Sequence, residues 1–402
     1  MTHPIIVLGA GLAGWTTARE FRKLDPVTPL LLITADSGDF YAKPSLSNAL
    51  AQGRGPAQLV STPAAQMAAT LNVTLQAQTR VLAMDPVTQV LTTDHGTFSY
   101  GQLVLATGAQ PIRLPLAGNA AAEVLSVNSL DDFARFHARL TAPAAGSSET
   151  APSKRVLIMG AGLIGCEFAN DLVASGHQVT VVDPATGPVA ALLPSEASAQ
   201  LRAALTAQGV HWHFGSTVQS VQHTDGSAPG LQVSLSNGVL ARVDIVLSAI
   251  GLRADTTLAQ AAGLACERGV QVDTRLQTSA PHVYALGDGA QYASAGSRTL
   301  PYVMPIMQAA KALAATLAGT PTELVFGLMP VAIKTPALPV VVAPPAPGSA
   351  GDWRSVEPGV WQFINAQGQV RGFALTGPQT RQRAVQARQV DGHQPVAQRQ
   401  HP

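Results

Sequence analysis

The sequence predicts an α/β protein made of two doubly wound units, with a small α+β domain towards its C-terminal end. Three observations carry this reading. An apolar run too short for a helix, Pro4 to Leu8, enters Gly9-x-Gly11-x-x-Gly14, and a helical stretch, Trp15 to Leu24, leaves it. The same order recurs with Arg155 to Met159, Gly160-x-Gly162-x-x-Gly165 and Cys166 to Ser175. The tail, Val331 to Ala343 and Trp361 to Leu375, is β-rich and interrupted by proline. In such a turn the first glycine permits a tight bend, the second lets backbone N–H groups approach a pyrophosphate, and the third packs the helix on the strand. This is the pattern of a Rossmann-like dinucleotide site. One GxGxxG can be no more than a glycine turn, but two complete units in one chain make coincidence a weak explanation.

At 402 residues, with 46 % hydrophobic and 12 % charged residues, the chain is globular and long enough for two or three domains. A net charge of +1, with no run of Lys or Arg, gives no field for nucleic acid or acidic membranes. Met1-Thr2-His3 leads straight into the first strand, so no signal peptide and a cytoplasmic location are expected. The longest apolar runs fall short of the roughly 18 residues of a membrane span. Cys166 and Cys266 lie far apart with no CxxC spacing, which argues against a disulfide framework, a metal site and a redox-active pair.

Along the chain, Pro29 to Asp36 reads as a buried parallel strand ending near an acid. Asp36 is placed either to accept from an adenosine ribose or to serve as a turn residue before Ser37-Gly38. Lys43, in Tyr41 to Ser47, either neutralises phosphate or is a surface lysine. Asn72 to Thr93 alternates as a strand pair, and Leu103 to Ala109 is a buried strand with a Thr107-Gly108 turn. Thr141 to Ser153, rich in Ala, Pro, Gly and Ser, reads as a linker. Gln178 to Asp183 is the second strand of the second unit. Its Asp183 stands 18 residues after Gly165, near the spacing at which a carboxylate binds the 2′-hydroxyl of NAD and repels the 2′-phosphate of NADP. A helix over Glu196 to Gln208, strands near His211 to Phe214 and Leu231 to Leu235, and a buried strand Ile245 to Gly251 follow. Val283 to Asp288 and a helix over Pro305 to Leu317 precede the tail.

The two glycine turns, Ala106-Thr107-Gly108 and Tyr284-Ala285-Leu286-Gly287-Asp288 resemble the flavin-dependent pyridine nucleotide oxidoreductases of the glutathione-reductase type. Within that class, Lys43-Pro44-x-Leu46-Ser47, Gly162 to Leu172 and Val331-x-Ile333-Lys334-Thr335-Pro336-Ala337 closely resemble bacterial rubredoxin–NAD reductases. The resemblance implies an FAD-binding domain in two parts, 1–112 and 249–320, an NAD-binding domain at 113–248 and a C-terminal domain at 321–402. It implies that FAD contacts Gly9, Ala10, Gly11, Leu12, Ala13, Gly14, Ala35, Asp36, Lys43, Val81, Thr107, Gly108, Glu167, Asp288, Val303 and Lys334. It likewise implies NAD contacts at Gly160, Gly162, Ile164, Gly165, Asp183 and Gly251. Asp288 would bind the ribitol, and Glu167 and Lys334 would stand beside the isoalloxazine. Glu167 also has the plainer reading of a helix first-turn acid. The broader class has Glu where this chain has Ala35, and related ferredoxin reductases have a basic residue where it has Asn48, which leaves Lys334 as the substitute cation.

The implied activity is electron transfer from NADH through FAD to rubredoxin, supplying for example alkane hydroxylation or oxygen detoxification. No protein nucleophile is needed, and no cysteine lies between Lys43 and Arg54, where the disulfide-using relatives place theirs. Rubredoxins are small and acidic, so Arg381, Arg383 and Arg388 are candidate docking residues, or simply a solvated face. A ferredoxin reductase of an aromatic oxygenase system and an NADH-binding redox sensor are the alternatives. A monomer or weak homodimer is expected.

Overall fold

The computed structural model describes residues 3–143, 153–224 and 230–390. They form two compact units, one of Met1–Lys43, Ala57–Gln110 and Leu252–Phe326, the other of Pro44–Pro56, Pro111–Gly251 and Gly327–Pro402. Most of the expected linker, 144–152, lies outside the described residues.

In the first unit the apolar runs become a five-stranded parallel sheet in the order Val283–Ala285, Gln102–Leu105, Ile5–Leu8, Leu30–Ile33, Thr74–Gln76. Its central strands are buried on both faces, as a parallel sheet requires, with Ile6, Val7, Leu32 and Val104 inaccessible. The helix Leu12–Leu24 packs against the helix Val303–Leu317. Its Trp15 is inaccessible, and the indole N–H donates to Gly38 O at 2.8 Å. The alternation after Asn72 resolves differently from a simple pair. Thr74–Gln76 joins the parallel sheet, while Val81–Asp85, Val90–Thr93 and Gly96–Ser99 form a separate antiparallel meander.

The second unit repeats the design. Leu125–Ser126, Ile245–Ser248, Arg155–Met159, Gln178–Asp183 and Val210–Phe214 form a parallel sheet in that order. An antiparallel meander, Val218–His223, Leu231–Leu235 and Leu240–Val243, accompanies it. The helix Leu130–Thr141 has no counterpart in the sequence reading, although its start is signalled: Ser129 Oγ accepts from Asp132 N at 3.1 Å and Asp132 Oδ2 from Ser129 N at 3.0 Å. The tail is a five-stranded antiparallel sheet ordered Val331–Ile333, Val340–Ala343, Val370–Thr376, Val360–Ile364, Asp352–Glu357, followed by the helix Arg383–Gln389. Its Ile333, Val340, Val342, Trp361 and Ala374 share one apolar cluster with Phe168 and Leu172 of the helix Leu163–Ala174.

An ion pair ties the entry strand of this unit to its neighbour. Arg155 donates to Asp244 through its backbone N–H (2.7 Å), Nε (3.2 Å) and a terminal nitrogen (2.7 Å). Burial alone would raise the Asp244 carboxyl, but these donors outweigh it and hold the group below its ordinary 3.8. A depressed acid stabilises the fold above its unfolded-state pKa and loses that contribution as pH falls through the folded value. Thermal melts from pH 7 down to pH 3 should therefore show a steeper acid fall in the parent than in Asp244→Asn, whose melting point should be lower at pH 7.

Candidate functional site

The first glycine turn leaves the sheet where the chain reverses direction across it, with Leu30–Ile33 on one side of Ile5–Leu8 and Gln102–Leu105 on the other. That is the crevice where open α/β sheets bind ligands. Gly9 has φ +111°, and an added Cβ there would stand 2.3 Å from Ala106 O; one at Gly14 would stand 1.8 Å from Gly9 O. These contacts lock strand, turn and helix together. At Gly11 an added Cβ would meet nothing within 4 Å, so the backbone faces open space. The helix begins there with no side-chain cap and no acid in its first turn. Its leading N–H groups and positive dipole end therefore lack a compensating side chain, as an anion site requires.

Other expected residues gather on the same turn. A Cβ at Gly287 would stand 3.0 Å from Ala13 Cβ, and one at Gly289 would stand 2.8 Å from Gly108 O. Asp288 lies in this turn with its carboxylate 3.6 Å from Lys43 Nζ. Thr107 is exposed, and Val303, 40 % exposed, opens a second helix without a side-chain cap. Val81 is half-buried at the head of its strand. Sequence reasoning missed Tyr292, whose inaccessible hydroxyl accepts from Gly287 N at 2.7 Å and donates to Gly287 O at 3.2 Å, pinning the turn that carries Asp288. Asp36, next to exposed Ala35, takes the turn arrangement: its Oδ1 accepts from Thr34 Oγ1 at 2.6 Å and Gly38 N at 3.0 Å.

The second turn has the same construction. Cβ atoms at Gly160 and Gly165 would stand 2.7 Å from Ala249 O and 1.9 Å from Gly160 O, while Gly162 faces open space and caps its helix without a side chain. Ile164 is 45 % exposed beside it, and Gly251 is exposed with φ +111°. Unlike Asp36, Asp183 is tied into its glycine turn. Its Oδ2 accepts from Ala161 N at 2.6 Å and its Oδ1 from Ala185 N at 2.7 Å, which fixes the carboxylate at the end of its strand.

The helix Leu163–Ala174 presents Glu167, Asn170 and Asp171, spaced i, i+3, i+4 and so on one face. Each holds another segment. Glu167 lies in the second turn, not the first, so the helix-start reading gives way. Its carboxylate, on a residue only 3 % exposed, accepts from Ser47 Oγ and from Lys334 Nζ at 2.6 Å through Oε2, and from Lys334 N at 2.9 Å through Oε1. Lys334 Nζ also donates to Pro44 O at 2.6 Å. Asn170 Oδ1 accepts from Ala337 N at 3.1 Å. Asp171 accepts from Leu50 N and Ala51 N, each at 2.9 Å, although burial pushes its carboxyl above the ordinary range. Lys334 is thus the cation paired with Glu167, while Asn48 has a buried Oδ1 without a hydrogen-bond partner.

Neither thiol is poised for chemistry. Cys166 is inaccessible and donates to Ala161 O at 3.3 Å, and burial, reinforced by the Asp183 and Glu167 carboxylates, pushes it far up. Burial also raises Cys266. Among the described residues no group of three or more His, Cys, Asp or Glu is arranged to hold a metal ion, and no helix is long and apolar enough to cross a membrane.

Two dinucleotide-type units, each with an uncapped helix over an open glycine, define an α/β protein built to bind two nucleotides. The chain belongs to the pyridine nucleotide-disulphide oxidoreductases, whose family profile matches residues 3–315; a rubredoxin-binding C-terminal domain profile matches 323–390. It is 44 % identical over 380 residues to the rubredoxin-NAD(+) reductase of Alcanivorax borkumensis, covering 93 % of this chain and 95 % of that one. To the nitric oxide reductase FlRd-NAD(+) reductase of Aeromonas salmonicida it is 40 % identical over 382 residues, 94 % of each chain. In structure it resembles the ferredoxin reductase for the CYP199A2 system from Rhodopseudomonas palustris (TM-score 0.81, 26 % identity, 93 % of this chain and 91 % of that chain). The reductase in a covalent putidaredoxin reductase–putidaredoxin complex shares the fold (TM-score 0.84, 23 % identity, 97 % and 93 % covered). The family uses FAD, with NADH as electron donor.

The glycines separate folding from binding. Gly14→Ala, whose methyl would meet Gly9 O, should destabilise the fold by about 3 kcal/mol. Gly11→Ala, whose methyl meets open space, should melt near the parent temperature yet bind FAD about tenfold more weakly. Melting curves and FAD retention on dialysis distinguish the two effects.

Proposed function

We propose that the chain transfers electrons from NADH, through bound FAD, to rubredoxin. The observation that carries this reading is the joining, in one chain, of two uncapped glycine-turn helices to a tail matching a rubredoxin-binding domain at residues 323–390. On this reading residues 1–112 and 249–320 bind FAD, 113–248 bind NADH and 321–402 serve the acceptor. The location is cytoplasmic, and the reduced acceptor feeds processes such as alkane hydroxylation or oxygen detoxification.

Bound FAD would supply hydride acceptance from a nicotinamide and release of electrons one at a time. The chain's own residues orient and tune it. The N–H groups of the first turn, Gly9 to Gly14, hold the pyrophosphate, with Lys43 adding a positive charge and Asp288 accepting from ribitol hydroxyls. Ala35, Asp36, Val81, Thr107, Gly108 and Val303 complete the FAD contacts. Gly160, Gly162, Ile164, Gly165 and Gly251 seat NADH, and Asp183, held in place by Ala161 N and Ala185 N, accepts from the ribose and repels a 2′-phosphate. Lys334 supplies positive charge that favours reduced, anionic flavin, while Glu167 fixes where that charge sits.

For the acceptor, an open depression of about 470 Å³ in the tail is lined by Ile333, Pro339 and Val340 together with Arg381 and Arg383. Between Gly377 and Val390 there are three arginines, all exposed, and no acid. A small acidic protein suits that surface.

NADH-driven reduction of a panel of purified rubredoxins and ferredoxins tests the function: rubredoxin should be reduced at the higher kcat/KM, and a preference for ferredoxin would replace this reading with that of a ferredoxin reductase. In the same assay NADH should outperform NADPH by more than about tenfold, or ~1.4 kcal/mol, and Asp183→Ala should narrow that gap. Arg381→Glu with Arg383→Glu should raise KM for rubredoxin and flatten its salt dependence, while NADH-to-ferricyanide turnover is unchanged.

A further inference from the structure

We infer that Ser47 is a positioning residue whose hydroxyl, set between Glu167 and Lys334, governs how much of the Lys334 charge is left to act on the flavin. This inference rests on the placement of Lys334 proposed above.

Ser47 is 2 % exposed and ends the Lys43–Ser47 turn. Its oxygen lies 3.3 Å from Lys334 Nζ and 3.3 Å from Pro44 O, and it makes a much shorter contact with Glu167 Oε2. A hydroxyl has one proton to give and lone pairs to receive. The short contact takes the proton to the carboxylate, which leaves a lone pair for the ammonium. Lys334 Nζ, with three N–H donors, then has three acceptors: Glu167 Oε2, Pro44 O and Ser47 Oγ. Ser47 thus screens the anion and restrains the cation at once, and no purely apolar side chain of its size does either.

A merely structural role is answered by the neighbouring bonds. The segment after Ser47 is anchored separately, because Asp171 accepts from Leu50 N and Ala51 N, and Leu46 is 3 % exposed in its own right. Removing the hydroxyl leaves those anchors in place. It strips one donor from the Glu167 oxygen that also holds Lys334, so the carboxylate presents more unscreened negative charge and draws the ammonium closer. Less net positive charge remains for reduced flavin.

The test compares flavin midpoint potentials, by anaerobic dye-equilibrated titration, in FAD-loaded parent, Ser47→Ala, Ser47→Cys, Lys334→Met and the Ser47→Ala/Lys334→Met double variant. FAD content and melting temperature are measured alongside. Ser47→Ala should shift the oxidised–reduced equilibrium about tenfold towards oxidised flavin, a fall of about 30 mV for a two-electron couple. Lys334→Met should lower the potential at least as far, and the double variant should fall no further than Lys334→Met alone, because both act through one charge. Ser47→Cys keeps the volume with a weaker donor, should fall by an intermediate amount, and replaces Ser47→Ala if that variant does not hold FAD. An unchanged potential in the Ser47 variants with a lowered one in Lys334→Met would make Ser47 a packing residue only. Additive shifts would show that it acts independently of Lys334. An unchanged potential in Lys334→Met would defeat the placement of Lys334 and, with it, this route from Ser47.

Discussion

A single buried anion organises the second unit. The Glu167 carboxylate has donors only because two distant stretches of chain deliver them, Ser47 from 120 residues upstream and Lys334 from 167 downstream. An ionised carboxylate out of water is stable only when paired and hydrogen-bonded, and removing one partner of a buried pair commonly destabilises by about 3–5 kcal/mol. The interaction therefore works as a test of assembly. If the Lys43–Ser47 turn or the strand ahead of Lys334 is misplaced, the charge is left uncompensated. Asn170 and Asp171, on the same helix face, hold the same two stretches through backbone N–H groups. Three acceptors on one helix fix the position of everything that surrounds Lys334.

The two glycine turns share one local design. In both, the first and third glycines are demanded by contacts inside the protein, while the middle glycine has open space ahead of it. Folding needs two of the three; the middle one is not required by any contact within the protein. The terminal acids then diverge. Asp183 receives two backbone N–H groups and is held rigidly at its strand end, whereas Asp36 spends one oxygen on the Thr34–Gly38 turn and is exposed. A rigid carboxylate discriminates sharply against a 2′-phosphate, since it cannot swing away from like charge. The exposed one is under no such constraint.

Much of this was legible in the sequence, because strand, glycine turn and helix are local patterns with strong physical causes. The central strands of both parallel sheets and the β-rich tail are readable as apolar runs between turn signals. Less legible is whatever depends on partners far away in the chain. The helix Leu130–Thr141 carries a capping-box start in Ser129 and Asp132, yet its flanking residues show no glycine punctuation. Nothing near Tyr292 announces that its hydroxyl will pin Gly287, for a tyrosine in a short strand reads equally as core. The motif around Lys43 is visible, but the membership of Pro44–Pro56 in the second unit rather than the first follows from its bonds to Glu167 and Asp171. Ser47 is likewise an ordinary turn residue until Glu167 is known to face it.

The same segment carries different chemistry from a thiol-bearing one. Disulfide-using relatives place their reactive cysteines between the positions of Lys43 and Arg54, where this chain has none. What the segment offers instead is the Ser47 hydroxyl, the Pro44 carbonyl and two backbone N–H groups, all directed at charged side chains of its own unit. Burial, reinforced by the Asp183 and Glu167 carboxylates, opposes ionisation of Cys166, and burial also raises Cys266. A thiolate pair stores electrons, whereas an ion pair held by a hydroxyl stores none and only sets a local potential.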